Sequence, residues 1–144
     1  MSATLSADQI GLIRTSFDAV APQAEAVAAR FYARLFSERP DLRPLFRIPI
    51  EVQSRKLMSA LAAVIASLEH LDVITPALEE MGERHAAYGV IDRDYGDVGA
   101  ALLWTLEAGL GSAFGAEVRK AWIEAYGLVA ETMKTGAARQ RRAS

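Results

Sequence analysis

Cysteine is absent from this sequence of 144 residues, and histidine, proline and glycine are few. Without cysteine the chain cannot form a disulfide scaffold, a thiolate zinc site, an iron–sulfur cluster or a cysteine nucleophile. The 16 Lys and Arg nearly balance the 18 Asp and Glu, which argues against a dedicated nucleic-acid-binding protein. Charged residues interrupt every apolar run before it reaches the roughly 18 residues of a membrane span, and no basic leader precedes an apolar stretch. We therefore expect a cytoplasmic protein without a membrane span.

Apolar residues recur at steps of three and four along most of the chain, without strict alternation, which predicts an all-α fold. Ser6 and Gln9 form a capping box that predicts the start of a first helix. Pro22 suits the first turn of a second helix, because its missing amide donor would be unpaired there in any case. Three prolines that lack this donor then interrupt the middle of the chain: Pro40, Pro44 and Pro49.

The second half of the chain reads as three longer helices. The first covers about 51–68, and the second ends at Gly89, which supplies the left-handed residue after a last helical turn. Asp92 or Asp94 is expected to cap the third helix, and three glycines in residues 109–115 predict a corner after it.

The length of the chain fits one domain. A final helix carries apolar residues as far as Met133, so we expect the domain to cover residues 1–135. The basic tail at 136–144 offers no apolar stripe to pack, and we expect it to be disordered.

The two histidines are the main candidates for chemistry near neutral pH. His70 lies at a predicted helix end, where an exposed imidazole needs no functional explanation. His85 lies on an apolar stripe with Leu78 and Met81, and the residues alone leave two interpretations open: a satisfied core histidine or a metal ligand. A zinc site lacks further ligands at helical spacing, and no nucleophile elbow or phosphate loop is present. Haem iron, by contrast, can be held by one histidine.

Four segments in order resemble the globin family, in particular the single-domain bacterial haemoglobins and the globin domains of flavohaemoglobins. The resemblance covers nearly the whole chain, from the first helix to about Met133. It implies a globin fold of about six to eight helices packed around a haem pocket. The segments are residues 30–36 (RFYARLF), 40–46 (PDLRPLF), 53–57 (QSRKL) and 84–90 (RHAAYGV).

The resemblance implies a role for individual residues. His85 would be the proximal ligand of haem b, iron protoporphyrin IX. Tyr32 and Gln53 would be the distal hydrogen-bond donors, and Leu57 the apolar distal wall. Phe46 would pack on the porphyrin, although ordinary core packing explains an aromatic residue there equally well. The remaining residues expected to contact the cofactor are Phe36, Leu45, Lys56, Met81, Arg84, Val90, Tyr95, Val98 and Met133.

The sequence departs from the flavohaemoglobin pattern late in the last helix. Those globins usually carry a glutamate that, with a tyrosine matching Tyr95, hydrogen-bonds the proximal histidine. The corresponding residue here is Ala137, and Glu131 lies six residues earlier, which places it on another face of the helix. We therefore expect the free ring nitrogen of His85 to bond a backbone carbonyl, which argues against peroxidase-like activity.

The resemblance supports two functions that use the same pocket. One is reversible binding of dioxygen for storage, delivery or scavenging, with nitric oxide and carbon monoxide as further ligands. The other is a nitric oxide dioxygenase, for which we expect a separate reductase because this chain has no room for a flavin domain. A sensor would need an output partner, and a haem-free interaction protein would be expected to lack His85.

Overall fold

Six α-helices joined by short 3₁₀ turns make up the computed structural model, which describes residues 5–143; no strand occurs in this range. The helices confirm the all-α prediction. They are α1 (Ala7–Val20), α2 (Ala24–Glu38), α3 (Ile50–Ala66), α4 (Leu71–Tyr88), α5 (Asp92–Leu110) and α6 (Ala116–Ala143).

The start of α1 and the end of α4 are where the sequence predicts them, whereas Pro22 lies in the 3₁₀ turn Ala21–Gln23 just before α2. The Ser6 hydroxyl accepts a hydrogen bond from the Gln9 amide at 3.1 Å, and the Gln9 side chain accepts one from the Ser6 amide at 2.9 Å. Gly89 ends α4 with a φ of 108°, which a residue without a Cβ adopts at little cost. Both the capping box and the glycine stop are confirmed.

The start of α5 differs in detail from its prediction. The N-cap residue is Ile91, and Asp92 is the first residue of the helix. Asp94 contributes from the third helical position, where its carboxylate accepts a hydrogen bond from the Ile91 amide at 3.0 Å. The acidic side chain therefore reaches back to the cap from inside the first turn, where the helix dipole also favours a negative charge.

The expected disordered tail is instead the end of α6, which continues to Ala143. Gly136 and Ala137 are buried against the rest of the protein. The Arg139 guanidinium pairs with two glutamates of α4 at 3.0 Å each, and Arg141 pairs with Asp92 at 3.3 Å. The prediction was wrong because small residues and arginines, which do not form an apolar stripe, pack this segment against its neighbours.

The most extensive contact between helices joins α4 and α6, while α2 packs mainly on α5. A large apolar core lies among α1, α2, α3, α5 and α6, and a smaller one lies between α4, α5 and α6. The Trp122 indole N–H donates to the Ser16 hydroxyl at 2.8 Å, so the buried polar atoms between α1 and α6 are paired. Among the described helices none is long and apolar enough to cross a membrane alone, although α3 together with the segment Leu68–Tyr88 meets that criterion as a bent pair.

Two glycines permit the close approach of α4 and α6. A Cβ added at Gly82 would overlap the backbone carbonyl of Met133, and one added at Gly136 would overlap that of Glu79. The two contacts are reciprocal, since each helix presents a glycine to the backbone of the other. Any side chain at either position must push the helices apart.

We predict that Gly82→Ala and Gly136→Ala each lower the free energy of unfolding by about 2 kcal/mol or more, because overpacking against a backbone atom cannot be relieved by a side-chain rotation. Gly127→Ala in α6 is the matched control, since its added Cβ would meet no atom within 4 Å. The control should be neutral or stabilising by about 0.5 kcal/mol, because alanine costs less backbone entropy in a helix. Urea denaturation measures all three, and equal behaviour of the three variants would contradict the close contact.

Candidate functional site

A cavity of about 240 Å³ lies between the helices, and its wall is almost entirely apolar. His85 of α4, Tyr32 of α2 and Gln53 of α3 are among the few polar residues on this wall. The structure thus brings together side chains that are far apart in the sequence. The other predicted site residues on the wall are Leu45, Phe46, Leu57, Met81, Val90, Tyr95, Val98 and Met133.

His85 is held in one orientation and one tautomer by its own helix. Its Nδ1 lies 2.7 Å from the Met81 carbonyl oxygen, one helical turn earlier. Because a carbonyl only accepts hydrogen bonds, Nδ1 must donate, and the lone pair of Nε2 is left free in the neutral ring. The predicted bond from the ring to a backbone carbonyl is confirmed.

The surroundings of His85 favour its neutral form. Burial lowers the pKa of the imidazole below its ordinary value, and the charge of Arg84 acts in the same direction. The hydrogen bond to Met81 opposes this effect on the pKa but is the smaller influence. A neutral imidazole with a free Nε2 is the form that can ligate a metal ion.

Tyr32 of α2 lies within a cluster of aromatic rings. Its ring centroid lies 5.5 Å from that of Phe46, edge to face, and 5.8 Å from that of Phe36, stacked. Burial raises the pKa of the Tyr32 hydroxyl, while the nearby Gln53 side chain opposes that shift in pKa. The hydroxyl therefore keeps its proton at neutral pH and is available as a donor beside the Gln53 amide.

Three predicted cofactor contacts lie off the cavity wall. Phe36 packs behind the wall, with its centroid 5.3 Å from that of Phe46. Lys56 is exposed on the outer side of α3, and Arg84 is exposed and pairs with Glu80 at 2.8 Å. A role in cofactor binding for these three residues stays a prediction from the resemblance.

The sequence analysis missed several residues that complete the wall. Ala60, Leu61 and Val64 follow Leu57 at helical spacing on α3, so the periodicity of that helix already indicated them. No sequence pattern indicated Tyr126 and Asp94 as wall residues. The apolar stripes of their helices predicted only ordinary core packing.

Tyr95 has an unusual environment on the side of the cavity near α6. Its buried hydroxyl has no hydrogen-bond partner among the described residues. Its backbone carbonyl accepts a hydrogen bond from the Tyr126 hydroxyl at 2.6 Å, and the Lys134 ammonium lies 5.8 Å from its ring centroid. Ala137, one helical turn beyond Lys134, is 1% exposed and offers no acceptor from its side chain.

A haem is a good fit to this set of residues. The wall offers apolar surface for a macrocycle, and the one neutral imidazole of His85 would suffice to hold haem iron. Within residues 5–143 no group of three or more His, Asp or Glu side chains could hold a bare metal ion. The donor set therefore suits iron carried by a macrocycle better than an ion held by protein ligands alone.

We expect removal of the Tyr95 hydroxyl and removal of the Tyr126 hydroxyl to have opposite effects on the free energy of unfolding. Tyr95→Phe removes a buried hydroxyl without a partner and should leave the free energy of unfolding unchanged or raise it by up to about 1 kcal/mol. Tyr126→Phe removes a hydroxyl that is bonded and should lower it by about 1 kcal/mol. Urea denaturation of both variants is the measurement. A loss at Tyr95 as large as the loss at Tyr126 would show that the Tyr95 hydroxyl has a partner.

The chain is similar to known proteins in both sequence and fold. The Globin family model matches residues 29–133. Flavohemoproteins from Halalkalibacterium halodurans and Bordetella parapertussis are 30% and 31% identical to the chain over 90% of its length. The match covers 32% and 33% of those proteins, so the chain spans about a third of the length of these curated relatives.

A solved structure shows the same fold over nearly the whole chain. It is an engineered carbene transferase, RmaNOD, described as a "putative nitric oxide dioxygenase from Rhodothermus marinus". The TM-score is 0.86 at 31% identity, and the alignment covers 97% of this chain and 98% of the other. Together with the match of the family model to most of the sequence, this shows that the chain belongs to the globin family.

Proposed function

We propose that this globin holds haem b through His85 and binds dioxygen reversibly, for storage, delivery or scavenging in the cytoplasm. The observation that carries the proposal is that His85 and the pair Tyr32 and Gln53 line one apolar cavity from different helices. One group is a ligand for iron, and the other two are donors for a bound gas. When bound, haem supplies a ferrous iron to which small diatomic gases bind.

The two ring nitrogens of His85 have different roles in this function. Nδ1 donates a hydrogen bond to the Met81 carbonyl, which fixes the ring orientation and leaves Nε2 as the atom that would hold the haem iron. A backbone carbonyl is a weaker hydrogen-bond acceptor than a carboxylate. It therefore polarises the Nδ1–H bond less and makes the imidazole a weaker electron donor. This favours reversible gas binding over cleavage of an oxygen–oxygen bond.

The distal residues discriminate between gases by hydrogen bonding. The Tyr32 hydroxyl and the Gln53 amide would stabilise partial negative charge on a bound dioxygen, whereas carbon monoxide would gain little from them. Burial of Tyr32, which is 3% exposed, limits competition from water for this donor. Phe46 and Leu57 add apolar surface that keeps water out of the same space.

A second candidate function is nitric oxide dioxygenation, which the flavohemoprotein relatives and the RmaNOD structure favour. In this reaction nitric oxide, dioxygen and one electron give nitrate. The electron would come from a reductase. Sustained formation of nitrate with a reductase present would favour this function, whereas a single turnover would not, because binding of dioxygen precedes both outcomes.

His85→Ala should abolish stable retention of haem, because it removes the only imidazole on the cavity wall. His70→Ala is the matched control, since His70 is exposed on the turn between α3 and α4 and does not line the cavity. Absorption spectra after gel filtration measure the bound haem. An unchanged haem spectrum in His85→Ala would overturn the assignment of the ligand.

Tyr32→Phe should speed release of dioxygen about tenfold, since a net hydrogen bond contributes about 1 to 1.5 kcal/mol. Association of carbon monoxide should change little, because that ligand gains little from a donor. Stopped-flow measurement of both gases is the test, with Tyr88→Phe at the exposed end of α4 as the control. Equal effects on the two gases would indicate a steric role for Tyr32 instead.

A further inference from the structure

Arg39, which follows the last residue of α2, donates hydrogen bonds to three carboxylates. Its Nε bonds one oxygen of Asp41 at 2.9 Å, and one terminal nitrogen bonds the other oxygen of Asp41 at 2.8 Å and Asp94 at 2.9 Å. The second terminal nitrogen bonds Asp97. These bonds use four of the five N–H donors of the guanidinium, so Arg39 is committed to contacts within the protein.

The three carboxylates differ in their exposure to water. The side chains of Asp41 and Asp97 are 61% and 44% exposed, whereas that of Asp94 is 4% exposed and that of Arg39 is 15% exposed. Exposed ion pairs contribute little, because water and salt compete with them. A buried carboxylate that loses its partner is far more costly. The bond between Arg39 and Asp94 is therefore the important one in this cluster.

Asp94 joins two parts of the chain through its two oxygens. One oxygen accepts the bond from Arg39, and the other accepts a bond from the amide of Ile91, the N-cap residue of α5, at 3.0 Å. One side chain thus ties the end of α2 to the start of α5. The same residue lines the cavity that contains His85.

The 3₁₀ segment Pro40–Leu45, which begins directly after Arg39, contacts the same region from its other end. A Cβ added at Gly89 would lie 3.2 Å from a methyl carbon of Leu45. Leu45 and the next residue, Phe46, both line the cavity. The segment is therefore held at both ends against the chain between α4 and α5, residues 89–91.

This part of the structure is an outer edge of the cavity. Val90 lines the cavity, while Gly89 and Ile91 on either side of it are exposed. Across from them Phe46 is only half-buried, and Arg47 after it is exposed. The wall is thin here, so the position of the 3₁₀ segment decides whether this edge is closed.

We infer that Arg39 and Asp94 are positioning residues that keep this edge closed and thereby retain the cofactor. This inference rests on the proposed function, because the cofactor retained is the proposed haem. A 3₁₀ helix has poorer hydrogen-bond geometry than an α-helix, so the segment depends on contacts with its neighbours for its position. The Arg39–Asp94 bond supplies a buried contact of this kind.

Transfer of haem from the protein to an excess of apomyoglobin measures how firmly the cofactor is held. Asp94→Asn keeps the size of the side chain, but its amide NH₂ group must face a donor, either the Arg39 guanidinium or the Ile91 amide. Haem should leave this variant at least about tenfold faster than the unmodified protein, because the guanidinium loses its buried partner. An unchanged rate would overturn the inference.

Asp41→Asn and Asp97→Asn are matched controls, because they make the same chemical change at exposed partners of the same guanidinium. Each should alter the rate of haem transfer by less than about twofold. A rate in Asp41→Asn as high as that in Asp94→Asn would show that the total charge of the cluster, and not the buried bond, governs retention. That result would contradict the role of Asp94.

Ser16→Ala separates retention of haem from general stability. It removes the hydrogen bond from Trp122 between α1 and α6, and Ser16 does not line the cavity. Urea denaturation should show a less stable protein, while haem transfer changes by less than about twofold. If Ser16→Ala released haem as fast as an equally destabilised Asp94→Asn, the positioning role would be refuted.

Hydrogen exchange of the purified full chain tests the hold on the 3₁₀ segment whether or not haem is bound. The amides of Leu42 and Phe46 donate to the carbonyls of Arg39 and Arg43, at 3.0 and 3.1 Å. Both amides should exchange at least about tenfold faster in Arg39→Met, because the segment opens locally without its buried contact. Exchange within α1 should be unchanged. Equal exchange of Leu42 and Phe46 in the two proteins would overturn the inference.

The two measurements distinguish this inference from the proposed function. A chain that binds no haem refutes the proposed function, and hydrogen exchange then decides whether Arg39 and Asp94 hold the segment. A chain that binds haem and releases it at the same rate from Asp94→Asn refutes the inference and leaves the haem function intact. If Asp94→Asn does not fold, Arg39→Met, which leaves the bond to Ile91 in place, decides both measurements.

Discussion

The close contact between α4 and α6 is the constraint on which the rest of the structure depends. α4 carries His85, and its backbone approaches that of α6 at Gly82 and Gly136 more closely than any side chain allows. Arg139 adds ion pairs to Glu79 and Glu83 on the outer side of the same contact. The helix with the candidate ligand is therefore fixed against the longest helix of the chain, which limits how far His85 can move.

The orientation of His85 follows from this packing. Because α4 is helical as far as Tyr88, the Met81 carbonyl lies one turn before His85 and accepts a hydrogen bond from Nδ1, which leaves the lone pair of Nε2 free. The absence of an acidic side chain at Ala137 has two visible consequences on this side of the cavity. The imidazole bonds to backbone, and the Tyr95 hydroxyl has no partner among the described residues. Both features support the reversible gas binding proposed above.

Much of the fold could be predicted from the sequence because its signals are local. The capping box at Ser6, the stop at Gly89 and the helical stripes all depend on residues within one or two turns of each other. The end of α6 could not be predicted in this way. Its order depends on contacts of Gly136 and Arg139 with α4, which lies about 55 residues away in the sequence and leaves no local pattern.

The site was predictable to a similar extent, but from the resemblance to globins and not from local signals. Resemblance to globins brought His85, Tyr32 and Gln53 to one pocket, and the structure places all three on one cavity wall. It could not show that Lys56 faces away from the cavity or that Tyr95 lacks a partner, because both depend on how neighbouring helices rotate.

The central claim is that His85 holds haem in this cavity, and an absorption spectrum of the purified protein tests it most directly. Spectra are recorded as isolated, after reduction with dithionite, and after reduction under carbon monoxide. The account predicts a strong Soret band that shifts under carbon monoxide as expected for ferrous haem with one histidine ligand. No Soret band, even after addition of haemin, would contradict it.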